Sequence, residues 1–249
     1  MVLNVKSQLK IVLFEFQNSF YRRLIKIEFP VKEKIQCVFV GNSYSGYFFP
    51  KSLLTKEGTI WGVGLGRDSS FELELLKQGY AFYGFEPERN CYKMSKNQFE
   101  GTDAVIENFG LWDKAGKFRY SGNNISIVNI FRLEQVSEEE LEIRSLWDIV
   151  EEKKLLHNKS PRILKLNIEG AEKEILSKLI EEPLEFDVII FQAEFLFHVG
   201  FKRLREKWKS YRELQKILHG FCKLGWQMVD ISRHQITIIK RDPNLRFLL

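Results

Sequence analysis

The hydrophobic pattern changes period along the chain, and the changes mark alternating strands and helices. Thr59–Val63 is a short apolar run that ends among glycines, as a buried parallel strand does. Phe71, Leu73, Leu75 and Leu76 supply the apolar face of a helix, which Gly79 stops. Ser69 and Glu72 read as an S-x-x-E capping box at its start. Tyr80–Phe85 is the next strand, followed by a helix over Asn90–Phe99 and a third strand over Ala104–Phe109. Ile163, Leu164, Leu166 and Ile168 make a fourth strand. Ile175, Leu176 and Leu179 form the buried face of the helix after it, and Asp187–Glu194 is the fifth strand. A helix over Tyr211–Cys222 precedes two closing strands, Trp226–Ile231 and Gln235–Lys240. This alternation predicts an α/β domain with a doubly wound, mostly parallel sheet and an antiparallel pair at its end.

Residues 1–50 read as an N-terminal extension to a domain over 51–249. Apolar and basic groups interleave from Leu9 to Lys26, as in a helix packed on the core, with a membrane surface or a partner as alternatives. Gln36–Val40 is a strand. The loop Gly41–Pro50, GNSYSGYFFP, is either a lid beside a site or an aromatic cover for a sheet edge.

Composition narrows the picture. A chain of 249 residues that is 44% hydrophobic and 14% aromatic can bury a sizeable core. Cys37, Cys91 and Cys222 lack metal or redox spacing, so they read as reduced thiols of a cytoplasmic protein with no metal site. The start lacks a signal peptide, and Ile11–Phe14 is far too short to span a membrane. A net charge of +5 permits an acidic partner without demanding one. A homo-oligomer is compatible with all of this and specified by none of it.

The chemistry concentrates in two stretches. In the first, Gly62, Gly64 and Gly66, with Val63 and Leu65 between them, form a turn after the first strand of the domain. Glu86 follows at the end of the next strand, about 20 residues on, where an acid reaches the ribose of a nucleoside. The dinucleotide fingerprint needs glycine where Arg67 stands, and Asp68 would repel a pyrophosphate at the helix start. An acid there suits a cationic nucleoside such as S-adenosylmethionine, and it suits helix capping equally. In the second stretch, strands end in Asn167, Glu169 and Glu194, with His198 close behind. Carboxyl ends of parallel strands are where such sheets bind ligands, although Glu169 and Glu172 also fit helix starts. Lys202–Arg212 mixes basic residues with Trp208 and Tyr211, a nucleic-acid pattern or a solvated helix face with two anchoring rings.

GVGLGRDSSFE, YGFEPE, GLWDKAGKF, ILKLNIEGAEKEIL and IIFQAEF occur in this order. The series resembles the FkbM-type methyltransferases, a branch of the class I S-adenosylmethionine-dependent enzymes, over about residues 57–240. Its most specific segment, K-x-D-x-E-G-A-E in the family, is Lys165–Glu172 here, with Asn167 in place of aspartate. Gly62 stands where many members carry an acid. The resemblance implies a seven-stranded, Rossmann-like class I methyltransferase sheet. It implies that Gly62–Gly66 and Asp68 hold the methionine part of the cofactor, that Glu86 binds its ribose, and that Asn108 and Phe109 line its adenine, with Asn167 also a cofactor contact. It further implies O-methylation of a saccharide, polysaccharide or secondary metabolite. The carboxyl ends of the fourth and fifth strands make Glu194, His198 and Glu169 the catalytic candidates. The alternatives are a nucleic-acid methyltransferase, a nicotinamide or nucleotide-sugar oxidoreductase, and a relative that binds cofactor without catalysis. The missing third glycine and Asp68 argue against the oxidoreductase.

Overall fold

The computed structural model describes residues 5–30, 35–43, 45–54, 57–119, 140–153, 161–168, 170–197, 204–232 and 234–241. Seven strands form the main sheet: β3 (Thr59–Val63), β4 (Ala81–Phe85), β5 (Val105–Glu107), β9 (Arg162–Leu166), β10 (Val188–Gln192), β11 (Trp226–Ser232) and β12 (Gln235–Lys240). Their spatial order is β11-β12-β10-β9-β3-β4-β5. β12 runs antiparallel to both neighbours, and the remaining pairings are parallel. From β3 the chain winds outward through β4 to β5, then returns to β9 on the other side of β3. The carboxyl ends of β3 and β9 are therefore the switch point, where a doubly wound sheet opens a crevice.

Both faces of the sheet are covered, which is why its central strands are apolar throughout. One face packs Ile60, Phe82, Ile163 and Ile190 against helices α2 (Ser70–Lys77) and α3 (Arg89–Gln98) and a two-stranded ribbon. The ribbon pairs β1 (Cys37–Val40) with β2 (Tyr47–Pro50). The other face packs Trp61, Leu164, Leu166 and Phe191 under α1 (Val5–Glu28), α4 (Leu146–Glu152), α5 (Glu172–Glu181) and α7 (Leu204–Lys223). A short helix, α6 (Glu194–Phe197), follows β10. A small side sheet has β8 (Glu140–Ser145) between β6 (Gly110–Trp112) and β7 (Gly116–Arg119).

Helix α1 lies on α7 because Tyr21, Ile25 and Phe29, at helical spacing, are buried there. Glu28 ties the two together by accepting hydrogen bonds from Tyr211, Gln215 and His219. Lys207 is fully buried and donates to Asn18 of α1 at 2.6 Å. The basic stretch is thus not a uniformly solvated face: Lys207 and Tyr211 turn inward, while Trp208 remains 47% exposed.

Three local expectations change. Tyr47–Pro50 is a strand and not a loop, because Tyr47 and Phe49 alternate into the core. Gln235 fastens it, donating to the Phe48 carbonyl at 3.0 Å and accepting from its amide at 3.1 Å. The fifth strand ends at Gln192, so Glu194 begins a helix. The capping box does not form: Ser69 makes no side-chain cap bond, and Glu72 is drawn into the core by Lys165.

Candidate functional site

The glycine turn is two residues, not three. Gly64 (φ +75°) and Gly66 (φ +63°) adopt the left-handed conformation. Gly62 stays inside β3, where its missing side chain makes room for Leu65 and Phe82. A Cβ on Gly64 would lie 2.0 Å from the Asn167 carbonyl oxygen, so only glycine lets the loops after β3 and β9 meet. The Asn167 amide, in turn, donates to the Val63 carbonyl at 2.9 Å. A Cβ on Gly66 would meet nothing within 4 Å, so the backbone there fronts open space.

Glu86 lies beneath this turn, 4% exposed. Its Oε2 accepts from Leu65 N at 3.0 Å and Gly66 N at 2.9 Å, and its Oε1 accepts from Glu88 N at 3.0 Å. Burial pushes its carboxyl above the ordinary range, against the pull of these three amides. A carboxylate has about four lone-pair sites, so one remains for a ligand hydroxyl. Glu88 caps α3 by accepting from Asn90 and Cys91. The Asn108 side chain donates to the Glu86 and Pro87 carbonyls at 3.0 and 3.3 Å and holds the loop after β4 in place.

The other expected residues fall into distinct places. Val63 and Phe109 point into the core, Phe109 against Phe85 with the Arg144 guanidinium over its ring. Leu65 packs on the opposite face of the sheet and contributes its amide. Asp68 acts at the start of α2: its carboxylate accepts from Ser70 N at 2.9 Å and from the Asn42 side chain. Burial raises its pKa, but the hydrogen bonds from Asn42, Ser45 and Ser70 outweigh that and hold it low. Asn42 and Ser45 therefore bring the 41–46 loop over the helix start. Asn167 Oδ1 is buried with no hydrogen-bond partner. Glu194 is buried at the head of α6, 4% exposed. Glu169 and His198 lie outside the described residues, as does Tyr44 of the 41–46 loop. No group of three or more metal-ligating side chains occurs among the described residues.

The centre of the arrangement is a charge pair that no spacing in the sequence joins. Lys165 and Glu72 form an ion pair at 3.1 Å, with 3% and 1% of their side chains exposed. Lys165 Nζ also donates to the Gly64 carbonyl at 2.9 Å and lies 5.3 Å from the centre of the Tyr47 ring. Burial alone would drive Lys165 toward neutrality, but Glu72, Tyr47 and Glu86 outweigh it and raise its pKa, so it stays charged. One signal was present: a lysine inside the strand ILKL needs a buried partner. Glu172 had a comparable role, since both its oxygens accept amides of the loop before it, from Ile168 and Gly170 at 2.8 Å.

These parts define a class: a doubly wound α/β domain whose β3 and β9 loops meet at the switch point of the sheet, with a buried acid after β4. No protein-family model matches the chain, and no curated protein sequence does. Solved structures resemble it at low identity. A fibrillarin/Nop5p complex matches at 11% identity and TM-score 0.41, over 76% of this chain and 74% of that one. Ribosomal protein L11 methylase from Lactobacillus delbrueckii subsp. bulgaricus matches at 11% identity and TM-score 0.36, over 75% and 72%. Aeropyrum pernix fibrillarin, which holds natively bound S-adenosyl-L-methionine, matches at 10% identity and TM-score 0.36, over 85% and 86%. No helix among the described residues is long and apolar enough to cross a membrane.

Proposed function

We propose that the chain is an S-adenosylmethionine-dependent methyltransferase of the FkbM type, acting on a hydroxyl oxygen of a saccharide or secondary metabolite. The observation that carries this reading is Glu86 bonded to the amides of Leu65 and Gly66. A phosphate-binding glycine loop offers those amides to its ligand. Here a carboxylate already takes them and adds negative charge, which disfavours a dinucleotide and favours a nucleoside without phosphate. The residues present fit S-adenosylmethionine. Glu86 keeps an acceptor site for a ribose hydroxyl, Gly66 leaves space for close approach, and the orphaned Asn167 Oδ1 would gain a donor. When bound, the cofactor supplies an electrophilic methyl group on a sulfonium. The protein's part is to align an acceptor oxygen and take its proton. A nucleic-acid acceptor draws less support, because Lys207 in the basic stretch is buried on Asn18 and unavailable to phosphates.

Calorimetry tests the cofactor. S-Adenosylhomocysteine is expected to bind and NAD to give no heat; the reverse result removes the proposal. Affinity is also expected to fall on acidification, beginning above glutamate's ordinary pKa of about 4.3. The sign follows from Glu86: its folded-state pKa is raised, and protonation withdraws the acceptor the ribose needs. Glu86→Gln should lower affinity at neutral pH by about 1–3 kcal/mol and flatten the pH profile.

The base is assigned to the carboxyl end of β10 and the segment after it, at Glu194 or His198, with Glu169 shaping the turn. Glu194→Gln and His198→Ala should each leave S-adenosylhomocysteine affinity unchanged. Methyl transfer to hydroxylated acceptors should drop by about 10²–10⁴-fold in whichever lacks the base. Full turnover in both variants moves the base elsewhere.

A further inference from the structure

Beyond the glycine turn, a cleft of about 890 Å³ opens between α1, the β1–β2 ribbon and the turn joining β11 to β12. Small-molecule sites commonly enclose about 300–1,000 Å³, so a phosphorylated hexose fits by volume. We propose that this cleft is the acceptor pocket, and that it takes a small hydroxylated molecule carrying a phosphate or carboxylate.

Charge is the first argument. Arg22, Arg23 and Lys26 of α1 line one wall, while Glu15 is the single carboxylate among the described lining residues. Asp230, half-buried nearby, feels Lys26 as well and tempers the field. The lining still carries more cations than anions. Concave surfaces with a one-sided charge concentrate ions of the opposite sign. A guanidinium matches the oxygens of a phosphate or carboxylate in a way an ammonium does not, and Arg22 and Arg23 both line this wall. Arg22 and Arg23 are adjacent in sequence, and Lys26 follows one helical turn after Arg22 and Arg23, so α1 delivers all three to one place.

Position is the second argument. Among the described residues, the far wall presents the polar side chains of Gln192, Ser232, His234 and Gln235. Gln192 Oε1 and the Ser232 hydroxyl oxygen can accept from hydroxyls, whereas the Gln235 amide is committed to Phe48. Gln192 ends β10, the strand whose carboxyl end leads to Glu194. Tyr47 joins the cleft to the crevice: it lines the cleft, accepts from Gln192 at 3.0 Å, and lies under Lys165. Lys165 in turn holds the Gly64 carbonyl. An anionic group at α1 therefore leaves the other end of its molecule on the Tyr47 side, toward the glycine turn.

That the occupant is a methyl acceptor rests on the methyltransferase reading; that it is an anion rests on the cleft alone. The test titrates glucose 1-phosphate, glucuronate and glucose into the whole chain, with S-adenosylhomocysteine measured in parallel. At least one of the two anionic sugars should bind, and glucose should bind far more weakly. Arg23 and Lys26 are exposed, so Arg23→Ala/Lys26→Ala should fold, and should weaken the anion by about tenfold or more. Arg23→Glu/Lys26→Glu should abolish it. S-Adenosylhomocysteine affinity should hold in both variants. Anion binding that ignores these substitutions, or equal binding of glucose, overturns the proposal, as does failure of both anionic sugars. Capture of phosphatidylglycerol vesicles without uptake of either sugar also overturns it and assigns the cations to a lipid surface. Loss of S-adenosylhomocysteine binding alone brings down the methyltransferase reading and leaves the anion site standing.

Discussion

Lys165→Met is expected to cost about 3–5 kcal/mol of folding stability, the range for stranding one charge of a buried pair. The reason is the environment of Glu72. With 1% of its side chain exposed and Lys165 removed, its carboxylate loses its ion-pair partner inside the core. Glu72→Leu/Lys165→Met should recover most of the loss, since an apolar pair of similar volume replaces a buried ion pair at little cost. Urea unfolding of the two single variants and the double variant measures this coupling. A double variant as unstable as Lys165→Met would show that packing, and not charge, is what Lys165 contributes. Binding should separate from stability. Lys165 also holds the Gly64 carbonyl, so S-adenosylhomocysteine affinity should stay reduced in the double variant after stability has returned.

The two turn glycines should fail differently when replaced by alanine. Gly64→Ala places a methyl group 2.0 Å from the Asn167 carbonyl at a positive φ. Left-handed backbone costs about 1–2 kcal/mol for a residue with a Cβ, and overpacking about 1–3 more, so a loss of about 2–5 kcal/mol is expected. Gly66→Ala meets no neighbour and should cost only the backbone term, about 1–2 kcal/mol. Its methyl group nevertheless enters the open space assigned to the ligand, so S-adenosylhomocysteine binding should be lost in a protein that remains folded. Thermal unfolding and calorimetry on both variants decide it. A Gly66→Ala protein that binds normally would move the ligand away from this loop.

The N-terminal segment ties the proposed acceptor side together. Asn18 of α1 reaches the Phe197 carbonyl at 3.4 Å and accepts from Lys207, while Glu28 collects three donors from α7. These bonds fix α1, and with it the cationic wall of the cleft, against the segment that follows β10. Asn42 and Ser45 perform a similar service for the 41–46 loop over α2. Segments within the first 50 residues therefore brace the start of α2 and wall the cleft.

Local chemistry alone carried the sheet. Apolar runs at Thr59–Val63, Tyr80–Phe85 and Ile163–Ile168, short and bounded by glycines or polar turns, read as buried strands, and Gly79 and Gly225 end helices by their positive φ. The acid at Glu86 and the turn at Gly64 and Gly66 were legible for the same reason: each depends on residue type and short spacing. What the tertiary structure decided are the partners of the charged groups. Glu72 satisfies a capping pattern three residues after Ser69, yet burial beside Lys165, far along the chain, outweighs the modest gain of a cap. Asp68 reads equally as ligand or cap until Asn42 and Ser70 occupy its carboxylate. Arg22, Arg23 and Lys26 read only as basic positions of a helix packed on the core until α1 folds against the ends of β10 and β11 and turns them into one wall of a cavity. A charge acquires a role from what surrounds it, and those surroundings come from segments far apart in sequence.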